Sequence, residues 1–149
     1  MKILVTYQSK TGFTKKYAEW ISDELNGELL DIKKVNSENI QNYDFIIHGG
    51  WIMGGKIMGL DKIMKLNPKQ SIVFGVGYTP KEDVDIKKMM EENKLGNTPL
   101  FYYQGGMNPK KMGFISKMIV KMVTKEKITY KDNTNKEDIN ELLNMVKTY

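Results

Sequence analysis

The chain contains no cysteine. Disulfides, thiolate catalysis and cysteine-ligated metals are therefore excluded, and any redox chemistry must use a cofactor. It contains no arginine either, since all 23 basic residues are lysine. Without the guanidinium fork, bidentate recognition of guanine or phosphate is closed, and a nucleic-acid partner is not expected. The single histidine, His48, cannot assemble a multi-histidine metal site, and its place at the end of an apolar run suits a structural role better than a catalytic one. No apolar run approaches the length of a membrane span, and the first one breaks at residues 6–9, too short for a signal-peptide core. The cytoplasm is the expected compartment.

What is present is a chain of 149 residues with net charge +5 and a pI near 9.2. That length fits one domain, residues 1–149, able to bury a core without metals or disulfides. Short β-branched runs at residues 2–7, 28–33, 43–48, 70–76 and 100–103 alternate with helix-period segments at 14–25, 57–66, 83–92 and 136–147. Strands alternating with helices predict parallel βαβ units in an α/β fold. Phe45, Ile46 and Ile47, like Ile72, Val73 and Phe74, read as strands buried on both faces. Gly27 ends the first helix.

The most informative stretch follows the first strand. Ser9-Lys10-Thr11-Gly12-Phe13-Thr14 opens into a segment with Tyr17, Ala18, Trp20, Ile21 and Leu25 at helical spacing. Hydroxyls, a flexible glycine and the free NH groups of a helix start converge there, and a helix N-terminus favours anions. The expected guest is a phosphate monoester. The stretch is neither a Walker loop nor a G-x-G-x-x-G turn. A phosphorelay receiver would need acidic residues after the first strand and an aspartate after the third, where this chain has Tyr7-Gln8 and His48-Gly49.

Ser-x-Thr-Gly-x-Thr after the first strand resembles the phosphate-binding loop of flavodoxins, and nearly the whole chain is similar to the flavodoxin-domain branch that includes the menaquinone-linked protoporphyrinogen oxidase. The resemblance implies a doubly wound, five-stranded parallel sheet of order 2-1-3-4-5 with helices on both faces. It also implies flavin mononucleotide (FMN), with Ser9, Thr11, Gly12, Phe13 and Thr14 on the phosphate. Lys10 lies in the same loop and could reach the phosphate or point to water. Ligands in such sheets sit at the carboxyl ends of the strands. The glycine-rich stretches there, expected to be loops, contain Gly50, Trp51, Ile52, Met53, Gly54 and Gly55 after strand three, and Gly75, Val76, Gly77 and Tyr78 after strand four. By the same resemblance Trp51, and less securely Tyr78, would stack on the flavin ring, and Gly54, Gly55, Gly75 and Gly77 would bring backbone close to its edge.

Electron transfer of one or two electrons to a redox partner protein or a quinone is what the resemblance implies for function. An FMN-dependent protoporphyrinogen or quinone oxidoreductase at the membrane surface is an alternative, and a flavin-free binding module is another. In strand five, Tyr102 or Tyr103 could orient a planar substrate. The stretch beyond, residues 110–125, has Phe114, Ile115, Met118, Ile119, Met122 and Val123 on one helical face. Lys117, Lys121 and Lys125 fall on the other, with Lys110 and Lys111 ahead of it. Such a stripe fits a helix packed on the sheet or an interfacial helix resting on anionic lipid.

Overall fold

A computed structural model describes residues 1–124 and 128–149, with Val123 and Thr124 described by their backbone alone. The elements in chain order are β1 (Ile3–Gln8), α1 (Phe13–Leu25), β2 (Glu28–Asp31), α2 (Ser37–Ile40), β3 (Phe45–Met53), β4 (Lys56–Ile57), α3 (Leu60–Lys65), β5 (Ser71–Gly77), α4 (Ile86–Glu92), β6 (Leu100–Gln104), β7 (Gly106–Met107), α5 (Phe114–Thr124), β8 (Lys131–Asp132) and α6 (Asn140–Val146). Five parallel strands run in the spatial order β2-β1-β3-β5-β6. Counted among themselves, these are the expected 2-1-3-4-5. Two antiparallel pairs are additional: β4 folds back on the end of β3, and β7 pairs with β8.

The sheet is covered on both faces because its central strands are apolar on both. Val5, Ile47, Ile72 and Phe74 pack beneath α1 and α6, against Tyr17, Ala18, Ile21, Ile139, Leu142 and Val146. On the opposite face Leu4 and Ile46 meet Ile32, Val35, Ile40 and Ile63, while Val73 and Tyr102 meet Leu60, Met89 and Leu95.

Strand β3 runs farther than expected. Residues 50–53, expected in a loop, continue the strand, with Gly50 opposite Gly75 and Trp51 opposite Val76. The turn comes only at Gly54 and Gly55, both at positive φ, where β4 begins. Gly75, Val76 and Gly77 likewise belong to β5. Glycine within these strands serves close packing: a Cβ on Gly49 would fall 2.0 Å from the Phe74 ring, and one on Gly50 would fall 2.1 Å from the Met58 carbonyl.

Helix α5 does not pack on the sheet. Phe114, Ile115 and Met122 are 78%, 73% and 74% exposed, and Met118 and Ile119 are also open to solvent. Lys125, expected on the polar face, lies outside the described residues, as does the side chain of Val123.

Candidate functional site

Strand β1 ends at Gln8, and the chain turns through Ser9 to Gly12 into α1. Gly12 is the N-cap at φ 100°, with no side-chain cap, a left-handed conformation that costs other residues energy. The Ser9 hydroxyl accepts the Gly12 NH at 3.1 Å and so shapes the turn. The first intrahelical bond runs from the Lys16 NH to the Gly12 carbonyl at 3.1 Å. Among the described residues, no acceptor meets the NH groups of Phe13, Thr14 and Lys15. These donors and the positive helix end point outward together.

The loop residues divide by role. Phe13 is buried and its ring joins the core, so only its backbone is available to a ligand. Thr14 is buried, whereas Ser9 and Thr11 are half-buried. Lys10 leaves the loop: its Nζ donates to the Ser116 hydroxyl at 2.8 Å and lies 5.2 Å from the Trp51 ring centroid.

At the end of β3, Trp51 is half-buried beside Ser9 and Lys10, and all three line an open groove of about 470 Å³ that extends to Asp31, Lys33 and Lys62. Met53 is 58% exposed. Tyr78, one residue past β5, is half-exposed, and its hydroxyl accepts from Lys131 Nζ at 3.1 Å.

At four of the expected residues the side-chain space is taken up by the protein itself. Gly50 lies under Met58, and Gly75 lies under Ile52, whose Cδ1 would stand 2.8 Å from an added Cβ. The Val76 side chain is in the core. Gly77 lies under the Tyr102 hydroxyl, 2.8 Å from where its Cβ would be. Protein atoms already occupy the space beside these four, so their lack of a side chain, or in Val76 its burial, is a packing requirement. Gly54 alone among the six glycines at positions 49, 50, 54, 55, 75 and 77 has open space beside it.

Tyr102 and Tyr103 are 3% and 1% exposed, which removes them from any surface pocket. The Tyr102 hydroxyl donates to the Thr79 carbonyl at 2.5 Å and closes the loop after β5. Burial and the neighbouring Tyr17 push both phenols above their ordinary pKa.

His48 is fully buried with both ring nitrogens engaged. Nε2 lies 2.9 Å from the Met58 carbonyl and Nδ1 lies 2.9 Å from the Thr6 hydroxyl. A carbonyl can only accept, so Nε2 carries the proton and Nδ1 accepts from Thr6. Desolvation lowers the ring's pKa to about 4. The ring thereby ties β1 to the segment that follows β4 and holds the Trp51 strand end in place.

Sequence reasoning picked out residues 110–125 but missed their contacts with the turn after β1, and it missed Asp132 altogether. Asp132 pairs with Lys16 at 2.8 Å beside the first turn of α1. Burial opposes its ionisation, yet hydrogen bonds from Lys16 and Thr134 hold its carboxyl below the usual range. Lys111 and Ser116 reach the turn between β1 and α1 from this same stretch. The only local signal was a run of lysines, and contacts across so many residues leave no mark on spacing.

The model of the family described as "Flavodoxin domain" matches residues 4–134. Among solved structures, a flavodoxin from the domain Archaea aligns with a TM-score of 0.53 and 20% identity, covering 84% of this chain and 98% of that one. Oxidised flavodoxin 2 from Bacillus cereus gives 0.52 and 21%, covering 85% and 100%. An uncharacterized protein of Methanocaldococcus jannaschii is 40% identical over 84 residues, 52% of this chain and 56% of that protein. The flavodoxin-like domain-containing protein BilS of Clostridioides difficile is 45% identical over 60 residues, 37% and 34% of the two chains. The chain therefore spans about half or less of the length of these curated relatives. With the turn after β1, the sheet order and the family match in agreement, this chain belongs to the flavodoxin domain family.

Proposed function

We propose that residues 1–149 form a single flavodoxin-like domain that binds FMN noncovalently and passes one or two electrons to a redox partner. The observation that carries this reading is the uncapped first turn of α1. Three NH groups without acceptors, the Ser9 and Thr11 hydroxyls and a positive helix end meet where a phosphate monoester fits, and such donors favour an anion without a fixed counter-charge. Trp51 and Tyr78 stand half-exposed at the ends of adjacent strands, which suits them to flank a planar ring. Bound FMN would supply the redox chemistry, while the chain orients it and controls its exposure to water. FMN added to the flavin-free chain under anaerobic conditions is expected to bind tightly, with riboflavin much weaker. Equal failure of both flavins to bind would remove the proposal.

A second reading, an FMN-dependent protoporphyrinogen or quinone oxidoreductase at the membrane surface, is favoured by α5. Its exposed Phe114, Ile115 and Met122, flanked by Lys110, Lys111, Lys117 and Lys121, form an apolar stripe with basic margins. Lysines near anionic lipid contribute about 1 kcal/mol each. Co-sedimentation with phosphatidylglycerol vesicles that weakens with salt, together with turnover of protoporphyrinogen by a quinone above the uncatalysed rate, would support it. No vesicle binding at low salt would count against it.

A further inference from the structure

Between β7 and β8 the chain leaves the sheet and leans back over the phosphate loop. The Ser116 hydroxyl takes the Lys10 ammonium at 2.8 Å. The Tyr130 ring lies 6.4 Å from that of Phe13. Asp132 holds Lys16 at 2.8 Å. This excursion thus touches the loop and the first turn of α1 at three separate positions.

Lys111 adds a fourth contact of a different kind. Its ammonium lies 3.7 Å from the point where a Cβ on Gly12 would sit, beside the residue that opens α1. The side chain is exposed, and among the described residues it has no hydrogen-bond or ion-pair partner. The nearby lysines are engaged: Lys10 with Ser116, and Lys16 with Asp132. An ammonium without a counter-ion, next to NH groups without acceptors, makes a positive focus stronger than the loop's own neutral donors.

We propose that Lys111 is a binding residue for the phosphate monoester in this loop, an inference that rests on the FMN reading above. Its ammonium pairs with the dianion, and its flexible stem needs no fixed fork geometry to do so. Affinity for a phosphorylated flavin then contains a salt-sensitive component that an uncharged flavin lacks.

Flavin fluorescence titrations of the flavin-stripped full chain test this, using FMN and riboflavin at low and high NaCl. Lys111→Met is expected to weaken FMN about tenfold, to leave riboflavin unchanged and to flatten the salt dependence. Lys111→Arg should recover most of the loss, and Lys87→Ala, on α4 and exposed, should match the parent. The inference is overturned if Lys111→Met binds FMN like the parent, or if it weakens both flavins alike, as a structural role would. A parent chain that binds neither flavin sinks the FMN reading and this inference together. A parent that binds FMN with an indifferent Lys111→Met sinks this inference alone.

Discussion

Helices α1 and α5 carry the same kind of apolar stripe and meet opposite fates. In α1, Tyr17, Ala18 and Ile21 are 0% exposed beneath the sheet, whereas in α5, Ile115 is 73% and Ile119 53% exposed. What separates them is the chain on either side. Helix α1 is fastened between two paired parallel strands, β1 and β2, so its stripe must face the sheet. Helix α5 hangs between the two-residue strands β7 and β8, and on the sheet face that α1 also covers, α6 supplies Leu142 and Val146. An amphipathic pattern specifies that a face will be covered, and topology decides by what.

The largest expected effect lies on the α1 side. Ile21→Ala removes three buried carbons from a core that cannot close around the gap and should cost about 3 kcal/mol in urea unfolding. A loss below about 1 kcal/mol would show that α1 is less firmly packed than its burial indicates.

A similar magnitude belongs to His48, through pH. The ring titrates near 6.5 when unfolded and near 4 when folded. Between those values the unfolded chain holds the extra proton, so this contribution is complete above pH 6.5 and disappears as pH falls toward 4. The loss is about 3 kcal/mol in all. His48→Gln should remove that part of the pH dependence, read as the difference between parent and variant unfolding free energies at pH 6.5, 5.5 and 4.5. Parallel curves would mean that the ring takes up its proton in the fold as readily as in the unfolded chain.

The sheet order, the uncapped turn that opens α1 and the structural role of His48 were legible because each rests on local pattern: apolar runs of strand length, hydroxyls at a helix start, one histidine at a strand end. The extent of β3 and β5 was not. Glycines at 49, 50, 75 and 77 resemble turn signals, yet here they admit Phe74, Met58, Ile52 and Tyr102 from other parts of the chain. A glycine's sequence neighbours do not reveal whether it bends the backbone or makes room for a distant side chain. The placement of Lys111 over Gly12 was hidden for the same reason, since only the returning β7–β8 pair brings it there.

Gly12 is a case where the backbone itself is required. At φ 100° a side chain is strained, while the nearest atom to an added Cβ, Lys111 Nζ, is at an ordinary 3.7 Å. Gly12→Ala should therefore cost about 1 kcal/mol of stability from conformation rather than clash. A loss above about 3 kcal/mol would show instead that the turn has no room for a methyl group.

The smallest effect on stability is expected where the sequence pattern is most like α1. Ile119→Ala removes the same atoms as Ile21→Ala, but from a side chain 53% exposed. Water already surrounds much of that residue in the folded state, so unfolding gains little and the change should stay within about 0.5 kcal/mol. If α5 rests on anionic lipid, the same substitution removes apolar surface from the contact and should weaken phosphatidylglycerol co-sedimentation without shifting the urea midpoint. A destabilisation approaching that of Ile21→Ala would mean that the α5 stripe is covered by this chain itself. The contrast between the two helices would then vanish, and with it the case for a surface that waits for a partner.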